Sequence, residues 1–376
     1  MHCQFLNHGL ALSYDQVVKP CCLWNYDSAW SKNNKLGQTD LQNWHQSAQV
    51  IAIRNELEQG QWPKHCSACQ EVEAHGRGDS IRGNGNQAYQ HYAKNDITLE
   101  IRPGSVCNFA CQTCWPEASS RVAQYYHQAN LIDIKNIDSH EYKNFDFLLP
   151  VAPRIKDVIV LGGEPFFDKD CLNFLDWASQ HLRSKITLFT NGSQVRWDWI
   201  HNYKDPIVMV FSLDATNRQA EYIRFGTDWN TVVKNFERAR QIAHVEARVN
   251  ITVSVYNYHY VGNLIEYLLQ DWPSVVSFGT AWQDHLQECV VPLAHRPAII
   301  DSLLKTIQKL ESSTVEFNQR QNAINALLAT VNNLTQVDFD PVLFEKFQQF
   351  VTSMDQVKKI NIHNYCPEVS EYFSCD

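Results

Sequence analysis

Cys107, Cys111 and Cys114 stand at C-x3-C-x2-C spacing in the run CNFACQTCWP, directly after a stretch that reads as a strand. Three closely spaced thiolates can hold three irons of a cubane cluster, whereas a closed four-iron cluster takes four cysteines. One iron is then left open, much as a catalytic zinc keeps one position free. An open iron invites a small-molecule ligand. A structural zinc is a competing reading of the same thiols and wants a fourth Cys or His nearby. Buried, unliganded cysteines are a third.

The elements that must position these thiols are read from residue 96 onward, where strands and helices alternate as in βαβ units with a parallel sheet. Strands are expected at 97–102, 157–161, 185–189, 207–212, 248–255 and 275–280, each short, β-branched and bounded by turn residues. Between them, Leu172, Leu175, Ala178 and Leu182 recur at helical spacing over 171–182. Six such units suggest a partial β/α barrel, with ligands at the C-terminal strand ends.

Those strand ends are polar. LGGEP at 161–165 follows the second strand. Gly162 and Gly163 let backbone pass close to a ligand, and Glu164 presents a carboxylate to an ammonium group. FTNGS supplies Thr190 and Asn191, and SLDA supplies Ser212 and Asp214. Each alone is an ordinary turn or cap. Four consecutive decorated strand ends make a rim for a polar ligand. Arg224, in EYIRFG, can pair with a carboxylate, the plain alternative being a surface salt bridge.

The ordered set CNFACQTC, LGGEP, FTNGS, SLDA and YIRFG resembles the radical S-adenosylmethionine (SAM) superfamily over residues 97–282. The resemblance implies an α/β partial (β/α)6 barrel and a [4Fe-4S] cluster held by Cys107, Cys111 and Cys114. SAM would chelate the open iron and be cleaved reductively, by way of a reductant such as flavodoxin or ferredoxin. It implies that Gly162, Gly163 and Glu164 receive the methionine amino group, that Ser212 contacts ribose or carboxylate, and that Arg224 contacts the carboxylate. Asn257, in SVYNYH, is placed near adenosine. Where the family often has an aromatic residue before the third cysteine, this chain has Thr113, and Trp115 follows instead.

The first 95 residues carry further cysteines. Cys3, the pair Cys21 and Cys22 in VVKPCC, and Cys66 and Cys69 in HCSACQ resemble a twitch module, a shortened relative of the SPASM domain. That resemblance implies one auxiliary [4Fe-4S] cluster on Cys3, Cys21, Cys66 and Cys69, with Cys22 the competitor of Cys21. A zinc ribbon-like site is the alternative. The module lies before the barrel rather than after it, and the tract at 75–87 reads as a loop. The domains expected are thus 1–95, the cluster module; 96–285, the barrel; and 286–376, a helical region. In the last, Ile300, Leu303, Ile307 and Leu310 form a stripe, and 317–332 and 341–352 are further helices.

Composition bounds the rest. The chain has 376 residues, 44% hydrophobic, with a formal net charge of -9 and twelve cysteines. No Lys/Arg block favours nucleic acid, no apolar run reaches about 18 residues, and the N-terminus lacks a secretion pattern. Many cysteines without an export signal suit metal or catalytic use in a cytoplasmic protein. Cys171 and Cys289 read as packing residues, whereas Cys366 or Cys375 could return a hydrogen atom to a substrate radical. The substrate expected from the resemblance is a peptide or protein side chain. The alternatives are dehydrogenation of a sugar-like or aminocyclitol alcohol, and a non-catalytic zinc-binding protein.

Overall fold

The computed structural model describes residues 1–74, 80–133, 142, 144–271, 276–314 and 316–374; Cys375 lies outside them. The protein is α/β, with a mostly parallel eight-stranded sheet in the order β2-β1-β3-β4-β5-β6-β7-β8. The strands are β1 Gly9–Leu12, β2 Val18–Lys19, β3 Ile97–Ile101, β4 Ile155–Val160, β5 Lys185–Thr190, β6 Ile207–Ser212, β7 Val245–Val253 and β8 Val276–Thr280. The six strands expected from sequence are β3 to β8. β3 is buried along its whole length and β6 along all but its last residue. A parallel strand covered on both faces is apolar on both, which is why IVMVF reads as a continuous hydrophobic run, whereas ITLEI alternates and its buried Thr98 and Glu100 are bonded to Tyr92 and Arg102.

Contacts divide the chain into two compact units. One comprises Met1–Ser105, Asp138–Leu188 and Trp197–Ile207, and the other Val106–Ile137, Phe189–Arg196 and Val208–Asp376. In the first, β1 pairs parallel to β3 with Gly9 opposite Thr98 and Leu12 opposite Ile101. β3 in turn pairs with β4, Leu99 facing Val158. β1 and β2 escape a periodicity search because they are short and buried on every residue, so nothing alternates. The helix Lys169–His181 starts on Asp168, whose carboxylate accepts from the backbone of Asp170 at 2.8 Å and Cys171 at 3.3 Å. It buries Cys171, Phe174, Leu175 and Ala178.

The glycine-rich tract at 75–87, expected as a loop, is in its described part a helix, Ile81–Ala88. Ser80 caps it by accepting from Gly83 N at 3.0 Å. Gly85 is needed there because a Cβ would stand 2.3 Å from the ring of Phe5. Glycine here serves close packing rather than a turn.

In the second unit, β7 and β8 pair in parallel with Ile251 opposite Phe278. Three long helices follow, Arg296–Glu311, Phe317–Gln336 and Pro341–Lys358. The first buries Ile299, Leu303, Ile307 and Leu310, so Ile299 replaces Ile300 on the buried stripe. Among the described residues no helix is long and apolar enough to cross a membrane.

The LGGEP turn belongs to the first unit. Gly162 has φ +121°, and a Cβ there would lie 2.3 Å from the carbonyl oxygen of Gly104. That same carbonyl accepts from Gly163 N at 3.1 Å, so the two backbone segments are held in contact. Glu164 is 1% exposed and accepts from Phe166 N at 3.4 Å. Gly162→Ala should cost about 1–3 kcal/mol in left-handed strain alone, before any displacement of Gly104. The check is a fall in the urea midpoint at constant slope; an unmoved midpoint would show that the turn relaxes freely.

Candidate functional site

The cysteine loop 107–114 is held almost entirely by its backbone. Ala110 N donates to Phe225 O at 2.8 Å and Gln112 N to Ile223 O at 2.7 Å, so the segment around Arg224 acts as a template for the loop. Ser119 Oγ donates to Phe109 O at 3.3 Å, and Gln283 Nε2 to the carbonyls of Thr113 and Cys114, both at 3.3 Å. Arg121 donates to Asn108 O. Lys358, at the end of its long helix, donates to Ala110 O and to Gln112 Oε1, both at 2.9 Å.

Of the side chains expected at strand ends, Asn191 reaches the first cysteine. Asn191 Nδ2 donates to Asn108 Oδ1 at 2.9 Å and approaches Cys107 Sγ at 3.9 Å. Asn191 Oδ1 accepts from Ser193 N at 2.9 Å, which fixes the amide orientation. Phe109 N points at the same sulfur at 3.4 Å. Thr190 is buried and accepts from Gly192 N at 3.0 Å, closing the FTNGS turn. Ser212 ends β6 and is half-buried.

Asp214 has no exposed surface and accepts from Thr252 N at 2.7 Å and from Arg224 Nη1 at 2.9 Å. Arg224 is therefore no surface cation: its carboxylate partner is Asp214, inside the protein. Burial works against its charge, yet the neighbouring Cys111 and Asp214 outweigh that and hold its pKa above the ordinary arginine value. Its Nε is buried and has no hydrogen-bond partner among the described residues. Asn257 is likewise fully buried, and its amide donates to Asp214 O and Thr252 O at 2.9 Å each while accepting from Ser254 N at 2.8 Å. With donors and acceptor engaged inside the protein, Asn257 holds the turn after β7.

The thiols themselves are desolvated. Burial pushes Cys111 up, opposed by Arg224 and Lys358, and pushes Cys114 up, reinforced by Cys111 and Cys107. Such thiols ionise when a cation joins them. N–H donors aimed at Cys107 and a buried guanidinium with an unused donor suit an anionic, thiolate-bound cluster with a carboxylate-bearing ligand. The residues therefore fit the group that the resemblance implies. Among the described residues, no three His, Cys, Asp or Glu side chains are gathered as one ion would need.

In the first unit, Cys3, Cys21, Cys66 and Cys69 line one cavity, walled by apolar side chains such as Phe5, Leu57 and Trp62. Burial raises Cys66 to about 12, with Cys3 and Cys69 adding to it; burial also raises Cys21, reinforced by Cys22 first and then by Cys3, Cys69 and Cys66. Cys22 does not line the cavity. Its thiol is raised by burial and by Glu100, and its carbonyl accepts from the buried Lys19 at 3.0 Å. Cys171 is fully buried in the first turn of its helix, Cys289 is half-buried with Sγ 3.5 Å from Asp284 O, and Cys366 is fully buried.

Lys358, Gln283 and Asn108 are site residues that sequence reasoning missed. Asn108 lies inside the cysteine run, so its position was the available signal. Nothing local marks Lys358 or Gln283.

No family model matches the chain. A GTP 3',8-cyclase of Haemophilus ducreyi is 28% identical over 158 residues, 40% of this chain and 43% of that protein. One of Actinobacillus pleuropneumoniae serotype 5b is 27% identical over 172 residues, 44% of this chain and 47% of that protein. The chain thus matches about half the length of these curated relatives. Among solved structures, Streptococcus suis SuiB bound to S-adenosylmethionine has a TM-score of 0.36 at 15% identity, over 70% of this chain and 59% of that one. Native anSMEcpe with bound AdoMet has a TM-score of 0.40 at 18% identity, over 56% and 61%. Its cysteine loop and ordered strand-end motifs carry the resemblance to the radical SAM superfamily, and the sequence similarity to these curated relatives over part of the chain supports it.

Proposed function

We propose that this protein is a radical SAM enzyme that cleaves S-adenosylmethionine reductively and abstracts hydrogen from a peptide or protein substrate. The observation that carries the reading is the donor set at the cysteine loop. Phe109 N and Asn191 Nδ2 are directed at the Cys107 sulfur, and Arg224 is buried near Cys111 with its Nε unpartnered. When bound, a four-iron cluster with SAM supplies an electron that breaks a carbon–sulfur bond, giving methionine and a 5′-deoxyadenosyl radical that takes hydrogen from substrate.

The chain's own residues then have distinct tasks. Cys107, Cys111 and Cys114 would hold the cluster, leaving one position for SAM. Asn191 orients Cys107 and blunts its charge. Arg224 Nε would donate to the SAM carboxylate while Nη1 stays on Asp214, and Gly162, Gly163 and Glu164 would receive the amino group. Thr190 and Ser212 contribute polar lining. An external reductant such as flavodoxin or ferredoxin delivers the electron.

The same reading assigns an auxiliary [4Fe-4S] cluster to Cys3, Cys21, Cys66 and Cys69 in a twitch-like module over residues 1–95, ahead of a core at 96–285 and a helical region at 286–376. The shared cavity supports that set, and the withdrawal of Cys22 toward Lys19 and Glu100 supports Cys21 over Cys22. A peptide substrate is favoured because SuiB, among the structural neighbours, is known bound to the precursor peptide SuiA. A second reading takes a nucleotide substrate, because the curated relatives are named GTP 3',8-cyclases.

Anaerobic reconstitution should give roughly eight irons per chain, and 5′-deoxyadenosine from SAM plus dithionite. Replacing Cys107, Cys111 and Cys114 with Ala should remove half the iron and all SAM cleavage, and replacing Cys66 and Cys69 should remove the other half. Tightly bound zinc without SAM cleavage would sink the proposal, and loss of the same iron in both variants would sink the two-cluster assignment. Hydrogen isotope transfer into 5′-deoxyadenosine from labelled peptide or labelled GTP separates the two substrate classes.

Arg224→Lys keeps a charge opposite Asp214 but gives up the Nε donor. A charge-assisted hydrogen bond contributes about 1.5–3 kcal/mol, so the KM for SAM should rise at least about tenfold with iron content unchanged. A wild-type KM would remove Arg224 from SAM binding.

A further inference from the structure

We infer that Lys358 is a positioning residue for the cysteine loop and sets the charge around its cluster; this rests on the functional reading above. Lysine is rarely buried unless paired, yet Lys358 is 6% exposed. Its ammonium donates to Ala110 O and Gln112 Oε1, both at 2.9 Å, so its two acceptors bracket Cys111. It also faces the Phe225 and Tyr125 rings, 5.4 and 5.9 Å from their centroids. Both rings lie on segments bonded to or adjoining the loop, and ring faces attract a cation.

The end of the helix is built to aim this side chain. The helix Pro341–Lys358 stops at Lys359, which is left-handed at φ 57°. One turn earlier, Asp355 accepts from Tyr222 OH at 2.8 Å and from Ile362 N at 2.7 Å. Tyr222 sits next to Ile223, whose carbonyl pins the loop. The last helical turn is thereby tied to the template segment and to the loop at once.

Burial lowers the Lys358 pKa to about 7, opposed by the facing Cys111, Asp355 and Cys114, with Arg121 as a like charge; negative charge on the thiols would hold its ammonium protonated. Arg224 adds a second cation near Cys111. Cationic groups gathered on thiols await negative charge, and three thiolates carrying a cluster supply it. Positive charge and hydrogen bonding around a cluster raise its reduction potential, and groups behind the ligands orient them. Lys358 thus eases reduction of this cluster while keeping the loop closed on it. The C-terminal helical region becomes part of the site.

The test uses the full chain, reconstituted anaerobically, with Lys358→Met. Two quantities are read: the midpoint potential of the reduced-cluster EPR signal that changes on adding SAM, and the rate of cluster loss to a chelator. The expected result is near-complete iron, a more negative midpoint and loss accelerated about tenfold, with Lys358→Arg restoring both toward wild type. If Lys358→Met aggregates, Lys358→Gln carries the same measurement, since it keeps a donor and loses the charge. A wild-type midpoint and loss rate in a neutral variant that retains the SAM-responsive signal overturn the inference alone. Absence of that signal from the wild-type protein overturns the functional reading and this inference with it.

Discussion

A carboxylate with no access to water, Asp214, is the constraint on which the second unit's site depends. An unpaired charge in that position would be prohibitive, and removing one partner of a buried pair typically costs 3–5 kcal/mol. Arg224 and the Thr252 amide share the neutralisation, while Asn257 takes the Asp214 backbone carbonyl. Asp214, just past the end of β6, is thereby tied to Thr252 near the end of β7 and holds Arg224 there. Its neighbours Ile223 and Phe225 then offer their carbonyls to Gln112 and Ala110. The geometry of the cysteine loop follows from satisfying one buried carboxylate.

That dependence explains a division of labour. The pair Asp214–Arg224 has little to recommend it as a stabilising device, since apolar residues of similar volume often do as well or better. Its value lies in orientation. Arg224 keeps one nitrogen on Asp214 and leaves Nε buried without a partner. A buried donor left unsatisfied costs about 1–3 kcal/mol, a cost that a bound acceptor would recover. The strand-end residues therefore serve two roles, with Asp214 and Asn257 supporting from within while Arg224 has a donor left to offer.

The fold was legible in the sequence wherever a strand was covered on both faces or a helix carried an apolar stripe. ITLEI, IVMVFS and the Leu172–Leu182 stripe announce themselves. β1 and β2 did not, because strands of four and two residues offer no period to detect. The helix at Ile81–Ala88 was hidden by its glycines, of which Gly85 is there to admit the Phe5 ring. In the site, residues within a motif were legible and their partners were not. Lys358 is 248 positions from Ala110, and only tertiary structure joins them. Asn257 reads from sequence as a polar residue after a strand end, and only the structure shows that it braces Asp214 and Thr252.

The two cysteine sets sit in different solvents. Around Cys107, Cys111 and Cys114 the protein supplies Asn191, Arg224, Lys358 and backbone N–H groups. Around Cys3, Cys21, Cys66 and Cys69 the walls are mostly aromatic and aliphatic, with backbone donors at Cys3 and Cys69 and with Arg82, engaged with Glu73, as the lining cation. Hydrogen bonds and positive charge favour the reduced, more negative state of a cluster, whereas an apolar shell disfavours added charge. In the proposed reading the cysteine loop is accordingly the easier place to put an electron, and the apolar cavity suits a closed cluster with four protein ligands. The contrast arises from side chains, since the sulfur ligands are chemically the same.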